Sequence, residues 1–222
     1  MTPTQRTLVR QLGLDVEELG LWATEYQGAQ AKEYLVDASY QGWVFTSQKA
    51  VEAIRPFLEQ VQGPPAVAAV GPKTRASLES LGLRIMAYGL HGVALAESLV
   101  KQGKEPLVFF CGEIHRPELP QILRSAGITL DEVVVYRTLA KEMKPLSVGG
   151  YEVLLFFSPR AVTHWMRHQP WMERQMAFAI GPSTAQTFFE LTGQTAHYPP
   201  EPTVEAVLTL VAQTISNQQQ HV

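Results

Sequence analysis

Two serines stand where an apolar run meets a helical pattern. Ser47 closes WVFTS ahead of KAVEAI, and Ser158 closes VLLFFS ahead of RAVTHW. A serine in that place caps a helix, its hydroxyl oxygen accepting from an N–H group that the first turn leaves unpaired. The same unpaired N–H groups also form a site for an anion. Both readings are open at each serine. Gly71-Pro72-Lys73-Thr74 and Gly181-Pro182-Ser183-Thr184 repeat the arrangement at the next strand ends. Glycine there lets backbone come close to a ligand, and proline at a helix start gives up no needed donor. Lys49, Lys73, Arg75, Arg116, Arg137 and Arg160 lie beside these turns, some placed to meet an anion and most to be solvated.

Other patterns point to less. GPKT is not a phosphate-binding P-loop, which needs GxxxxGK[ST], and no GxGxxG dinucleotide fingerprint occurs. His164 and His168 are spaced to share a helix face, but Trp-Met-Arg between them omits the glutamate of a zinc protease. They read as an exposed helical pair, with no metal expected. Cys111 ends a strand with no histidine partner evident in sequence; it reads as packing, with catalysis the lesser alternative.

The elements that must position these turns alternate. Strands are expected at 43–47, 66–71, 83–89, 106–112, 132–136, 153–158 and 176–181, with helical patterns between them. In the pattern after Ser47, Val51, Ile54, Phe57, Leu58 and Val61 share a face, and Pro56 should kink it or sit near its start. RPELPQILRSAG has proline at its start and Gly127 at its end, and TVEAVLTLVAQTI is a closing amphipathic helix. GAQAKE and KPLSVGG read as loops and SNQQQHV as a frayed tail. Such alternation implies an α/β protein whose parallel sheets are covered on both faces and bind ligands beyond the carboxyl ends of strands.

An internal repeat organises the chain. FTSQKAV matches FFSPRAV, AAVGPKTRASL matches FAIGPSTAQTF, and Tyr88 matches Tyr198, all about 110 residues apart. RSAGITLDEVVVYRT (124–138) resembles RQLGLDVEELGLWAT (10–24) at a different offset. The relation is therefore circular: a lobe of about 24–137 is inserted into one formed by 1–23 plus 140–222, with two chain crossings. Two lobes with two such turns each suggest a cleft that reads several anionic groups. The strand PLVFFCG that precedes RPELPQILRSAG has no counterpart before TPTQRTLVRQLG. The first strand of the first lobe is thus expected to be missing, through a late recorded start or a truncation.

Composition bounds the rest. The 222 residues, 45% of them apolar, can bury a real core, and a net charge of −3 provides no basic face for nucleic acid. No apolar run has membrane-spanning length, and no signal peptide is read. A single cysteine fits a reducing, cytoplasmic setting.

Taken together, FTSQKAV, VGPKT, PLVFFCGEIHRPELPQIL, VVVYRT, FFSPRAV, AIGPSTA and PEPTVEAV resemble the uroporphyrinogen-III synthase family in order and spacing from about residue 10 onward. The resemblance implies two similar α/β lobes, the first flavodoxin-like and the second inserted, joined by a two-stranded linker. It implies a monomer without cofactor or metal. The implied substrate is hydroxymethylbilane, a linear tetrapyrrole with eight carboxylates, and the implied partner is hydroxymethylbilane synthase, in transient contact. The implied reaction is dehydration with ring closure, inverting ring D through a spiro intermediate. Positioning alone is a sufficient source of that selectivity.

Residue by residue, Tyr136 in VVVYRT matches a family tyrosine that helps the hydroxyl leave; the plain alternative is a strand-end tyrosine with a wet hydroxyl. Ser47, Thr74, Ser158 and Thr184 map onto carboxylate-binding positions rather than nucleophiles, and Gln48, Lys49, Gly71, Gly112, Arg116, Arg160, Gly181 and Ser183 complete the expected substrate-binding set. The family's first-strand turn, a Thr-Arg-Pro-like segment, has no match. Two other readings share the turns but need no Tyr136: a non-catalytic two-lobed anion-binding module, and a regulatory domain that kept the fold and lost the chemistry.

Overall fold

The structure, a computed structural model, describes residues 1–103, 106–143 and 150–219. Its helices and strands in chain order are α1 (Pro3–Gln11), β1 (Trp22–Tyr26), α2 (Lys32–Val36), β2 (Gly42–Phe45), α3 (Gln48–Ile54), β3 (Ala66–Val70), α4 (Pro72–Ser80), β4 (Ile85–Gly89), α5 (Gly92–Gln102), β5 (Leu107–Gly112), α6 (Glu118–Ser125), β6 (Leu130–Ala140), β7 (Val153–Phe156), α7 (Pro159–His168), β8 (Met176–Ala179), α8 (Pro182–Thr192) and α9 (Val204–Gln219). They fall into two compact units, Met1–Trp22 with Ala140–Val222, and Ala23–Leu139. The chain passes between the units within β1 and within β6. Gln27 N–H donates to Val135 C=O at 2.7 Å and Lys141 N–H to Leu21 C=O at 2.9 Å. One index rises as the other falls, so these two segments run antiparallel.

The continuous unit holds a sheet of order β1-β6-β5-β2-β3-β4. β6, β5, β2, β3 and β4 are mutually parallel. Parallel strands need helical crossovers, which cover both faces and let each strand be apolar throughout. The burial follows that rule: Trp43, Phe45, Val67, Ala69, Val108 and Phe110 enter one core, while Val44, Ala68, Leu107, Phe109 and Cys111 enter the other with Leu95, Leu99, Leu119 and Leu123 of α5 and α6. Chain order doubles back between β5 and β2, which are neighbours in the sheet. That topological switch point is where open α/β sheets leave room for a ligand.

The discontinuous unit pairs β7 with β8 in parallel, and Phe178 bridges His197 beside them. Leu154, Phe156, Val162, Trp165, Ala177, Ala179 and Phe188 form one core; Phe178, Val207 and Val211 form another beneath α9.

Several local expectations change. Pro56 ends α3 at Ile54, and the chain tightens into a 3-10 helix over Arg55–Gln60; proline lacks the donor that the next α-turn requires. GAQAKE is not a loop. Gly28–Ala31 forms a 3-10 turn that leads into α2, because Ala31 and Leu35 are buried in the core and pin the segment. Ser216–Gln219, expected to fray, continue α9, since neither glycine nor proline interrupts it; the tail's last three residues lie outside the described ones, as does most of KPLSVGG. His164 is buried rather than exposed: its Nε2 hydrogen-bonds the Lys141 carbonyl at 3.0 Å and its ring lies 5.1 Å from that of Trp22. His168 turns back to the His164 carbonyl at 2.8 Å.

Candidate active site

The strand ends at the switch point surround a cavity of about 600 Å³. Thr46 and Ser47 come from the end of β2, Val70 from β3, Leu90 and His91 from the turn between β4 and α5, and Gly92 and Val93 from the start of α5. Ile114, His115, Arg116, Glu118 and Leu119 follow β5, and Tyr136 stands in β6. Leu90 and Ile114 are 75% and 79% exposed, so the mouth is apolar while its walls carry polar groups.

Tyr136 is placed by backbone. Cys111 pairs with Val134 but Gly112 pairs with Tyr136, so the register shifts by one residue at the end of β5. Such an irregularity re-aims a side chain. The phenol lies directly on Gly112: a Cβ built there would meet Tyr136 Cζ at 2.6 Å and its hydroxyl oxygen at 2.8 Å. Gly112, one of the expected substrate-binding residues, seats the tyrosine. Lys49 Nζ stands 5.8 Å from the phenol ring centroid and donates to Thr138 Oγ1 at 3.4 Å, holding positive charge beside the ring.

Ser47 caps α3, its Oγ accepting from Lys49 N–H at 3.2 Å. Gln48 is exposed and donates to Ser77 Oγ at 3.0 Å. Arg116 is exposed on the cavity wall. Gly71, with φ +78°, has the left-handed backbone that favours glycine, and no side chain caps α4 after it. Thr74 is buried in the first turn of α4, outside the cavity lining. Arg75 pairs with Glu79 at 2.8 Å, and Arg137 with Glu113 at 3.2 Å.

On the discontinuous unit, Ser158 caps α7, its Oγ accepting from Ala161 N–H at 3.1 Å. The Arg160 guanidinium carbon sits 3.9 Å from the centre of the Trp22 ring. Gly181 is extended at φ −179°, and no side chain caps α8, as with α4. The two Gly-Pro turns therefore share a sequence but not a backbone. Ser183 is exposed and Thr184 buried in the first turn of α8.

Both cavity histidines escaped sequence reasoning. His91 caps α5, with Nδ1 accepting from Ala94 N–H at 3.3 Å. His115 is held on both ring nitrogens, 3.0 Å from the Gly112 carbonyl and 2.6 Å from Glu132 Oε2. The signal for His91 was its place between a strand and a helix, where Ser47 and Ser158 also stand. His115 lay inside the GEIHRPEL motif with nothing in sequence to point to Glu132.

A parallel sheet with a cavity at its switch point and a tyrosine seated on a glycine at the strand ends define an α/β protein of the open, doubly wound kind. The family model described as Uroporphyrinogen-III synthase HemD matches residues 4–209, and the chain belongs to that uroporphyrinogen-III synthase family, whose enzymes serve tetrapyrrole biosynthesis. The crystal structure of uroporphyrinogen-III synthetase from Helicobacter pylori is similar with a TM-score of 0.61 at 20% identity, covering 88% of this chain and 92% of that one. It establishes the two-lobed fold. A mutant uroporphyrinogen III synthase from the extremely thermophilic bacterium Thermus thermophilus aligns at 18% identity with a TM-score of 0.49, covering 99% of this chain and 95% of that one. Among the described residues no helix is long and apolar enough to cross a membrane.

Proposed function

We propose that the protein cyclises hydroxymethylbilane to uroporphyrinogen III, with Tyr136 helping the hydroxyl depart. The seating of the Tyr136 phenol on Gly112, within the cavity at the switch point, carries this reading. The ring-A nitrogen lone pair expels the hydroxyl, whose oxygen takes a proton from the phenol and leaves as water. Ring D attacks the resulting azafulvene cation through its substituted carbon and forms the spiro intermediate. Fragmentation and reclosure invert ring D, and the proton then lost from it restores the pyrrole and the phenol.

Ser47, Gln48, Lys49 and Arg116 take substrate carboxylates beside Tyr136; Gly71 and Thr74 do so at the start of α4. Ser158, Arg160, Gly181, Ser183 and Thr184 do so on the other unit. Uncapped N–H groups at the starts of α4 and α8 support this assignment. The enzyme acts as a cytoplasmic monomer and receives the bilane from hydroxymethylbilane synthase, because the free bilane closes to the uninverted isomer by itself.

The test supplies hydroxymethylbilane made in situ, oxidises the products and separates the isomers. Isomer III in excess is expected; isomer I alone would overturn the reading in favour of a binding module. Tyr136→Phe should lower turnover at least tenfold, about 1.4 kcal/mol in barrier, with an unchanged thermal melt. Undiminished turnover would remove Tyr136 from the mechanism.

A further inference from the structure

Beside the cavity, which His115 lines, three groups that can ligate a metal converge from three segments. Cys111 is on β5, Glu132 on β6 and His115 in the segment leading to α6. Phe109 pairs with Glu132 and Cys111 with Val134 across the two strands, which puts Glu132 and Cys111 on one face of the sheet. His115 reaches that face by packing edge-on against Phe109, ring centroids 5.3 Å apart. One ligand atom from each residue, a sulfur, a ring nitrogen and a carboxylate oxygen, lies within 4.8 Å of the other two.

The surrounding groups orient these atoms as they would around an ion. A carbonyl only accepts, so the His115 Nδ1–H donates to the Gly112 carbonyl, 3.0 Å away, and Nε2 is turned toward Glu132 Oε2 at 2.6 Å. Metal-binding histidines are held in this way, their second nitrogen fixed by a backbone carbonyl or carboxylate. Arg124 Nη2 anchors the other carboxylate oxygen, Oε1, at 2.6 Å. Cys111 Sγ lies 3.6 Å from the Val133 carbonyl. The His115 and Glu132 side chains are 23% and 22% exposed, leaving a way in from solvent.

We propose that Cys111, His115 and Glu132 form a site for a thiophilic divalent cation, Zn²⁺ before Mg²⁺ or Ca²⁺. Thiolate and imidazole select zinc over the hard, oxygen-seeking ions. Three protein ligands leave a tetrahedral ion one position for water or an incoming carboxylate. The charges balance: thiolate and carboxylate match the dication, imidazole is neutral, and Arg124 keeps its own bond to Oε1. Binding expels the thiol proton. Burial, helped by the Glu132 charge, pushes the Cys111 thiol up to about 12, so the ion must displace that proton rather than find a thiolate waiting. Tyr136 is not a ligand, and the site does not depend on the reading of the reaction.

Cobalt titrated into chelator-treated protein tests this. One equivalent of Co²⁺ should produce a strong thiolate-to-cobalt band in the near ultraviolet, and Zn²⁺ should bleach it. Cys111→Ser should abolish the band. His115→Ala and Glu132→Gln, at partly exposed positions, should each weaken Co²⁺ binding at least tenfold while keeping the native far-ultraviolet circular dichroism. No thiolate band at one equivalent in the parent protein would overturn the proposal. So would an undiminished band in Cys111→Ser, or unchanged affinity in both other variants.

Discussion

Gly112 and Tyr136 make one unit of structure from two residues. The phenol occupies the space that any side chain at 112 would claim, with Cζ only 2.6 Å from a Cβ built there. Gly112→Ala must therefore move either the ring or the end of β5. Forcing a methyl into packed structure costs about 1–3 kcal/mol, and the ring is the more easily moved partner because the strand is fully buried. Gly112→Ala should retain the fold, lose about that much stability in a urea melt, and lower turnover at least tenfold. Parent-like turnover together with parent-like stability would show that the ring has room the structure does not give it. Sequence made Tyr136 a candidate and Gly112 a ligand contact. It could not disclose their contact, because that depends on a register shift between neighbouring strands.

At the scale of the element, the serine turns keep both of their sequence readings. Ser47 and Ser158 have extended backbones and accept from N–H groups of the helices they begin. Among the described residues each hydroxyl only accepts, which leaves its proton to a carboxylate. Ser158→Ala should cost about 1 kcal/mol in chemical denaturation, as the loss of a side-chain cap does. If Ser158 also takes a carboxylate, kcat/KM should fall beyond what the folded fraction explains; an unchanged kcat/KM at full folding would reduce Ser158 to a cap. The strands at 43–47, 66–71 and 106–112 were legible because strands buried on both faces are written as unbroken apolar runs, and the one at 132–136 because its Val133-Val134-Val135 run is β-branched throughout. β1, WATEY, was not legible: its residues are half-buried or exposed, and only its partner β6 defines it as a strand. α2 was hidden for a related reason, since five residues held by the burial of Leu35 leave no periodic signature. The cap by His91 shows the same limit at a helix start, because an imidazole is a rarer cap than the serines that gave the other turns away.

For the whole molecule, the repeat in sequence does not translate into equal shares of core. In the continuous unit β5 and β2 lie between hydrogen-bonded neighbours on both sides, and every residue of each is buried. In the discontinuous unit β7 pairs only with β8 among the described residues, and alternate residues of β7 are half-buried. Amides exchange through openings whose free energy rises with buried contacts and falls where backbone hydrogen bonds meet water. Native-state hydrogen exchange should therefore find the amides of β2 and β5 at least tenfold slower than those of β7, about 1.4 kcal/mol in opening free energy. Equal protection of β7 and β5 would mean that the discontinuous unit draws stability from packing beyond its two paired strands. The expected order has a functional side. The sheet that seats Tyr136 on Gly112 would be the part of the molecule that opens least, which is what positioning a reacting oxygen requires.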